Sequence, residues 1–236
     1  MTIDATALAD SLRTLVQSPA DDGTLSSSLK LVVEACVDLF DVDGAGILIA
    51  DEQDVLSYAA ASAGPGRLLE RMESEAGEGP CTESFWQAKV ITSRDVTTET
   101  VRWPRLAEAM VGQPVRAVLG TPIQLGGVTV GTLDVYRERV HDWDDSEVTA
   151  LARYSEVIAT TLAAALEAHT AGELAKQLQY ALDYRVVIER AVGYLMASMG
   201  ADAVTAFQAL RSTARNRRTK IGTIAEHLLD TGSLPA

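Results

Sequence analysis

Two strand-like runs, Val115 to Leu125 and Val128 to Arg137, meet at Gly126-Gly127. Glycine reaches positive φ without steric cost, so the pair suits a two-residue hairpin turn. On the first arm Val115, Ala117, Leu119, Thr121, Ile123 and Leu125 share one face by period two. An antiparallel pair of strands is hard to avoid here. Two shorter apolar runs, Ala45–Ala50 and Val55–Ala61, predict a further pair, with Asp51-Glu52-Gln53-Asp54 as a polar turn between them.

Helical patterns flank these strands. Leu8, Leu12 and Leu15 recur at helical spacing. After a break at Pro19–Gly23, the hydroxyls from Thr24 to Ser28 offer caps to a stripe of Leu25, Leu29, Val32, Val33, Cys36, Val37 and Phe40. Downstream, Asp144 with Glu147 three residues on has the form of a capping box. It heads a long helix with Val148, Leu151, Ile158, Leu162 and Leu166 on one stripe and no obvious stop before Gly172. Strands in the middle with helices at both ends predict an α+β module. The stripe of the long helix also suits a parallel dimer seam, the alternative being that it packs on its own sheet.

From Gly172 onward the pattern is wholly helical. Leu174, Leu178, Ala181 and Leu182 lead into Val187, Ile188, Ala191, Val192 and Leu195, with a stop at Met199-Gly200. Asp202 is placed to cap a second helix carrying Ala203, Ala206, Phe207, Leu210 and Ala214. Thr219 is placed to cap a third, with Ile221, Ile224, Ala225, Leu228 and Leu229. Three short amphipathic helices bury their apolar faces against one another or against a partner.

Charge divides the chain at the same place. The net charge is −13, yet residues 170–236 hold 8 Lys/Arg against 6 Asp/Glu, while the first 169 hold 12 against 27. Residues 203–225 contain Arg211, Arg215, Arg217, Arg218 and Lys220 and no acid. A local basic face on an acidic protein suits a polyanionic partner, because cations there neutralise phosphate and release counterions. A solvated face at a helix C-terminus is the plain alternative.

The first part of the chain resembles a GAF domain. The resemblance rests on Glu78-Gly79-Pro80-Cys81, Arg102-Trp103-Pro104, Val115-Arg116-Ala117-Val118-Leu119, Pro122, Gly131-Thr132-Leu133-Asp134-Val135-Tyr136 and Trp143-Asp144, over residues 25–168. It implies a five- or six-stranded sensor that holds a small ligand, or a partner, on one side of its sheet. The segment from Gly64 to Arg105 would cover that pocket, making Cys81, Phe85, Trp86 and Trp103 the candidate lining. Cys81 is then either a redox or ligating group, or a packed residue opening a short helix after the Gly79-Pro80 turn. Cys36, on an apolar helix face, reads as core.

The tail resembles an ANTAR domain, the RNA-binding output module of antitermination regulators. The matching runs are Leu182-Asp183-Tyr184-Arg185-Val186-Val187-Ile188-Glu189-Arg190-Ala191, Gly193, Leu195-Met196, Ala206-Phe207, Leu210-Arg211, Ala214-Arg215-Asn216 and Ile224-Ala225. Val192 stands where the family usually has Lys. The resemblance implies binding to paired stem-loops in nascent mRNA. Candidate RNA contacts are Tyr184, Arg185, Arg211, Arg215, Asn216, Arg217, Arg218 and Lys220, with Arg able both to pair with phosphate and to stack on bases. Asn216 is equally placed to cap the second helix.

These readings divide the chain into a helical extension (1–24), a sensor (25–168) and an RNA-binding module (169–236). They predict a cytoplasmic homodimer with an unidentified signal at the sensor, no cofactor, no metal and no membrane partner. The N-terminus lacks a basic and hydrophobic leader. Two cysteines and the scattered His141, His169 and His227 make no zinc set. No Ser/His/Asp order, phosphate loop or paired carboxylates argue for catalysis. A protein-interaction or dimerisation module, and a helix-turn-helix DNA binder, are the rival readings.

Overall fold

The computed structural model describes residues 2–17, 24–51, 55–62, 64–167 and 172–235. The Pro19–Gly23 break, residues 52–54 of the polar turn, His169 and the junction at 168–171 lie outside the described residues.

The predicted hairpin forms the centre of a five-stranded antiparallel sheet. Its strands are β1 (Gly44–Ala50), β2 (Leu56–Ala61), β3 (Ile91–Ser93), β4 (Ala117–Leu125) and β5 (Val128–Arg137), in the order β2-β1-β5-β4-β3. Gly126 and Gly127 take φ of 59° and 84°, so Leu125 pairs directly with Val128. A register shift between Ile123 and Gln124 interrupts the alternation that the sequence suggests for β4. Glycine is required at 131, because a Cβ there would lie 2.0 Å from the Leu48 carbonyl oxygen on the neighbouring strand.

Helices cover both faces. Helices α1 (Ala5–Gln17), α2 (Leu25–Phe40) and α6 (Asp145–Glu167) enclose a core that includes Leu29, Val33, Cys36, Phe40, Leu119, Leu133, Leu151, Ile158 and Leu162. A smaller core, with Leu69, Cys81, Val96, Trp103, Leu106, Met110 and Val118, is covered by α3 (Gly66–Ala76), α4 (Pro80–Gln87) and α5 (Pro104–Ala109). The Asp144 capping box is formed: Asp144 Oδ1 accepts from the Glu147 N–H at 3.1 Å, and Glu147 Oε2 accepts from the Asp144 N–H at 2.8 Å. Buried Glu147 also meets His141 Nε2 at 2.9 Å and the Arg137 guanidinium at 3.5 Å. Arg137 in turn donates to the Phe40 and Asp41 carbonyls, so one network ties the end of α2 to the start of α6.

Helix α7 (Gly172–Met199) serves two cores. Leu178 is buried with the sheet and α6, whereas Ile188, Ala191, Val192 and Leu195 pack against α8 (Ala203–Arg217) and α9 (Ile221–Thr231). Of the stripe offered by the sequence as a dimer seam, Leu151, Ile158 and Leu162 are fully buried in this chain's own core, while Val148 and Leu166 are partly buried. Asp202 caps α8 by accepting from the Thr205 N–H at 2.7 Å. Two smaller expectations change. The cap residue of α9 is Lys220 rather than Thr219, and its side chain does not cap the helix. Asn216 lies inside α8, and it is Arg218, at φ of 52°, that takes the left-handed position ending the helix.

Candidate functional site

A cavity of about 790 Å³ lies between the sheet domain and the helical tail. Cys81, Phe85, Trp86 and Trp103 all line it, joined from the tail by Asp202, Phe207, Gln208 and Arg211 of α8 and its cap. Helix α4 brings the first three together. It opens with Pro80, whose missing N–H costs nothing in a first helical turn. Before it, Gly79 at φ of 146° makes room for Glu73, since a Cβ there would sit 2.4 Å from that carboxyl. Glu73 is buried and accepts from the Thr82 N–H at 3.0 Å, supplying the cap that α4 lacks locally. Burial raises the Glu73 carboxyl to about 7.

Beside it stands Asp134 of β5, whose Oδ2 accepts from the Thr132 hydroxyl at 2.6 Å. No hydrogen-bond donor among the described residues reaches Oδ1, and the Cys81 thiol lies beside this carboxyl. Burial raises this acid to about 8. Burial, and then the negative charge of Asp134 and Glu73, also push the Cys81 thiol well upward. The thiolate is the reactive form, so this geometry sides with the packed-residue alternative for Cys81. Glu83 holds the far wall, accepting from Arg102 Nε at 2.9 Å and Trp103 Nε1 at 2.8 Å, with the Arg102 guanidinium 4.4 Å from the Trp103 ring. Sequence reasoning missed Glu73, Glu83 and Asp134. Asp134 had a signal: an acid inside the apolar run from Val130 to Tyr136. Among the described residues no group of three or more His, Cys, Asp or Glu side chains is arranged to hold a metal ion.

The eight candidate RNA contacts separate into distinct settings. Arg215, Asn216, Arg217 and Arg218 are exposed at the end of α8. Tyr184 stacks on Tyr180 with ring centres 4.6 Å apart, and Lys220 Nζ lies 4.9 Å from the Tyr180 ring. Arg211 is half-buried at the cavity, and its Nε is enclosed without a hydrogen-bond partner among the described residues. Arg185 is 2% exposed. Its guanidinium carbon lies 4.1 Å from the ring centres of both Phe85 and Trp86, it donates to the Phe85 carbonyl at 3.3 Å, and its Nε donates to Glu189 at 2.8 Å. Trp86 in turn packs on Phe207 with ring centres 4.1 Å apart. Of the five cations in residues 203–225, Arg211 is thus turned toward the sheet domain and away from the exposed group at the end of α8, and Arg185 of α7 is turned the same way. Val192 is 6% exposed and lies in the three-helix core.

A sheet domain with a lined cavity, bearing a three-helix unit on its last long helix, defines a sensor–output regulatory protein. The chain belongs to the GAF domain family, whose model matches residues 23–167, and it continues into an ANTAR domain, matched over residues 176–229; it has the organisation of a GAF–ANTAR two-domain regulator. Both are regulatory domains. Among curated proteins none matches the chain. Solved structures share the fold at low identity. One is the GAF domain of a phosphoenolpyruvate-protein phosphotransferase from Coxiella burnetii, at 20% identity and TM-score 0.54 over 69% of this chain and 96% of that one. Another is the free methionine-R-sulfoxide reductase of Neisseria meningitidis in complex with its substrate, at 16% identity and TM-score 0.55 over 70% of this chain and 95% of that one. Among the described residues no helix is long and apolar enough to cross a membrane.

Proposed function

We propose that the chain is an RNA-binding antitermination regulator, in which the GAF domain receives a signal and the ANTAR domain binds stem-loops in nascent mRNA, favouring a form that prevents a terminator hairpin. The observation that carries this reading is the acid-free stretch 203–225 within the ANTAR match, with Arg215, Arg217 and Arg218 exposed together at the end of α8. Guanidinium groups neutralise phosphate and stack on unpaired bases, which suits looped RNA better than a uniform duplex. The 790 Å³ cavity is of a size that holds a small organic signal, and a protein signal at the same domain serves equally. A cytoplasmic homodimer completes the proposal, and sedimentation of the intact chain tests its oligomeric part.

The RNA reading is tested by titrating intact protein against a labelled RNA hairpin and a DNA duplex across a salt series. Replacing Arg215, Arg217 and Arg218 together by Gln is expected to flatten the logarithmic salt slope by roughly 2 to 3, near 0.7 to 0.9 for each phosphate no longer neutralised. A preference for duplex DNA would favour the helix-turn-helix alternative. A slope unchanged by the triple substitution would favour protein–protein interaction.

A further inference from the structure

Arg185 is in an unusual place for a residue on an RNA-binding helix. A guanidinium carries a charge that is costly to bury, and here it is enclosed by ring faces contributed by the sensor domain. The carboxylate on the guanidinium is the output helix's own Glu189, while the sensor's share of the enclosure has a specific chemistry, two flat π faces and a carbonyl oxygen. An unstacked nucleobase in an RNA loop offers the same set, a flat heteroaromatic face with acceptor oxygens close by. The second half of the contact repeats the theme. Phe207 comes from α8, not α7, and presents its ring to Trp86 at 4.1 Å. With α4 withdrawn, the output domain would therefore show, side by side, one exposed aromatic face and one planar cation; without Trp86 alone, Phe207 and the part of the guanidinium that Trp86 covers are uncovered, while Arg185 keeps the Phe85 ring and carbonyl. Trp86 itself is a fused five- and six-membered ring, the size and shape of a purine.

Resting on the RNA reading above, we infer that Arg185 and Phe207 form a purine-stacking site on the ANTAR domain, and that Trp86 of the GAF domain fills this site in place of the base. Sensor and RNA then compete for one surface. The docked arrangement is the RNA-excluded one, and a signal activates the protein by drawing α4 away from α7 and α8. Such a device works only through a difference in affinity between the docked and released states.

The test uses intact protein and two fluorescein-labelled hairpins with the same stem, one with an adenine-rich loop and one with abasic sites at the loop positions. The phosphates are equal in the two, so a difference between them reports the bases. Trp86→Ala is expected to bind the adenine loop about tenfold more tightly than the wild type, the scale of one base–aromatic stack, with binding to the abasic loop unchanged. Trp86→Leu keeps an apolar neighbour on Phe207 and guards against loss of packing; it is expected to tighten adenine-loop binding roughly threefold, since leucine offers the guanidinium no ring face. Adding Arg185→Lys to Trp86→Ala is expected to reduce the gain, because an ammonium does not stack as a guanidinium does while the Phe207 face remains. Wild-type affinity for the adenine loop in a Trp86→Ala protein with native circular dichroism overturns the inference and leaves the RNA reading standing, as does equal tightening on both loops. Failure of wild type and variants alike to bind either hairpin overturns the RNA reading, and the inference with it.

Discussion

Asp134 and Glu73 show how a fold holds acids against their ordinary behaviour. Glycine at 120 gives Asp134 its room, since a Cβ there would lie 2.4 Å from Oδ1. Burial raises both carboxyls, Asp134 to about 8 and Glu73 to about 7. The folded protein thus keeps protons that the unfolded chain releases near pH ~4. Between about pH 4 and pH 8 the native state binds more protons than the unfolded state. Unfolding free energy therefore falls as pH rises through that window and levels off above it. Asp134→Asn carries no charge to bury, so it is expected to match the wild type near pH 4 and to melt several degrees higher at pH 8.5, at about 2 to 4 °C per kcal/mol for a chain of this size. Parallel melting curves across the pH range would contradict this. The same burial bears on the thiols. Cys36 and Cys81 are both buried with pKa pushed upward, so native protein is expected to show no rapid reaction with a thiol reagent near neutral pH. Denatured protein is expected to show two thiols per chain, and fast labelling of the native form would restore a redox role for Cys81.

Among the elements, helices with local punctuation were the readable ones. The Gly126-Gly127 turn, the Asp144 and Asp202 caps and the Gly200 stop each act through neighbours two or three residues away, so the sequence shows them directly. Elements held by distant partners were not readable. Strand β3 is only Ile91–Ser93 and is defined by its pairing with Val118–Gly120. Helix α4 was legible as a short helix after the Gly79-Pro80 turn, but its cap, which comes from Glu73 on another helix, was not. Glu147 shows both kinds of support at once. Its capping role is local and legible, whereas its bonds to His141 and the buried Arg137 depend on the assembled fold. Glu147→Ala is expected to cost about 3 to 5 kcal/mol, because it strands the Arg137 charge inside the protein, well beyond the ~1 kcal/mol of a missing cap. Chemical denaturation measures the difference. Glu147→Gln, which still accepts from the Asp144 N–H, is expected to lose less, and a loss of only ~1 kcal/mol in the Ala variant, the scale of the cap alone, would show that Arg137 finds other partners.

At the scale of the whole molecule, the charge boundary near residue 170 is compositional and so was visible in the sequence, but the mechanical boundary falls elsewhere. Leu178 belongs to the ANTAR match and to the all-helical stretch, yet its side chain is fully buried in the sensor's core. Nothing in a stripe of leucines says which sheet or bundle will take each one, which is why a dimer seam and an internal contact looked alike. The consequence is that α7 couples the two domains, with its first turns anchored under the sheet and its later turns carrying the output core. Leu178→Ala removes buried side-chain volume and leaves a cavity, a change that costs about 2 to 5 kcal/mol. Since this side chain belongs to the sensor's core and its helix packs on β5 and β1, the destabilised unit is expected to be the sensor rather than the helix that bears the substitution. Hydrogen exchange distinguishes these outcomes. Amides of β1, β5 and α6 are expected to lose protection in the variant while those of α9 keep theirs. Loss confined to α7, α8 and α9 would mean that the sensor core closes without this helix, and that α7 is a tether between the domains rather than a shared strut.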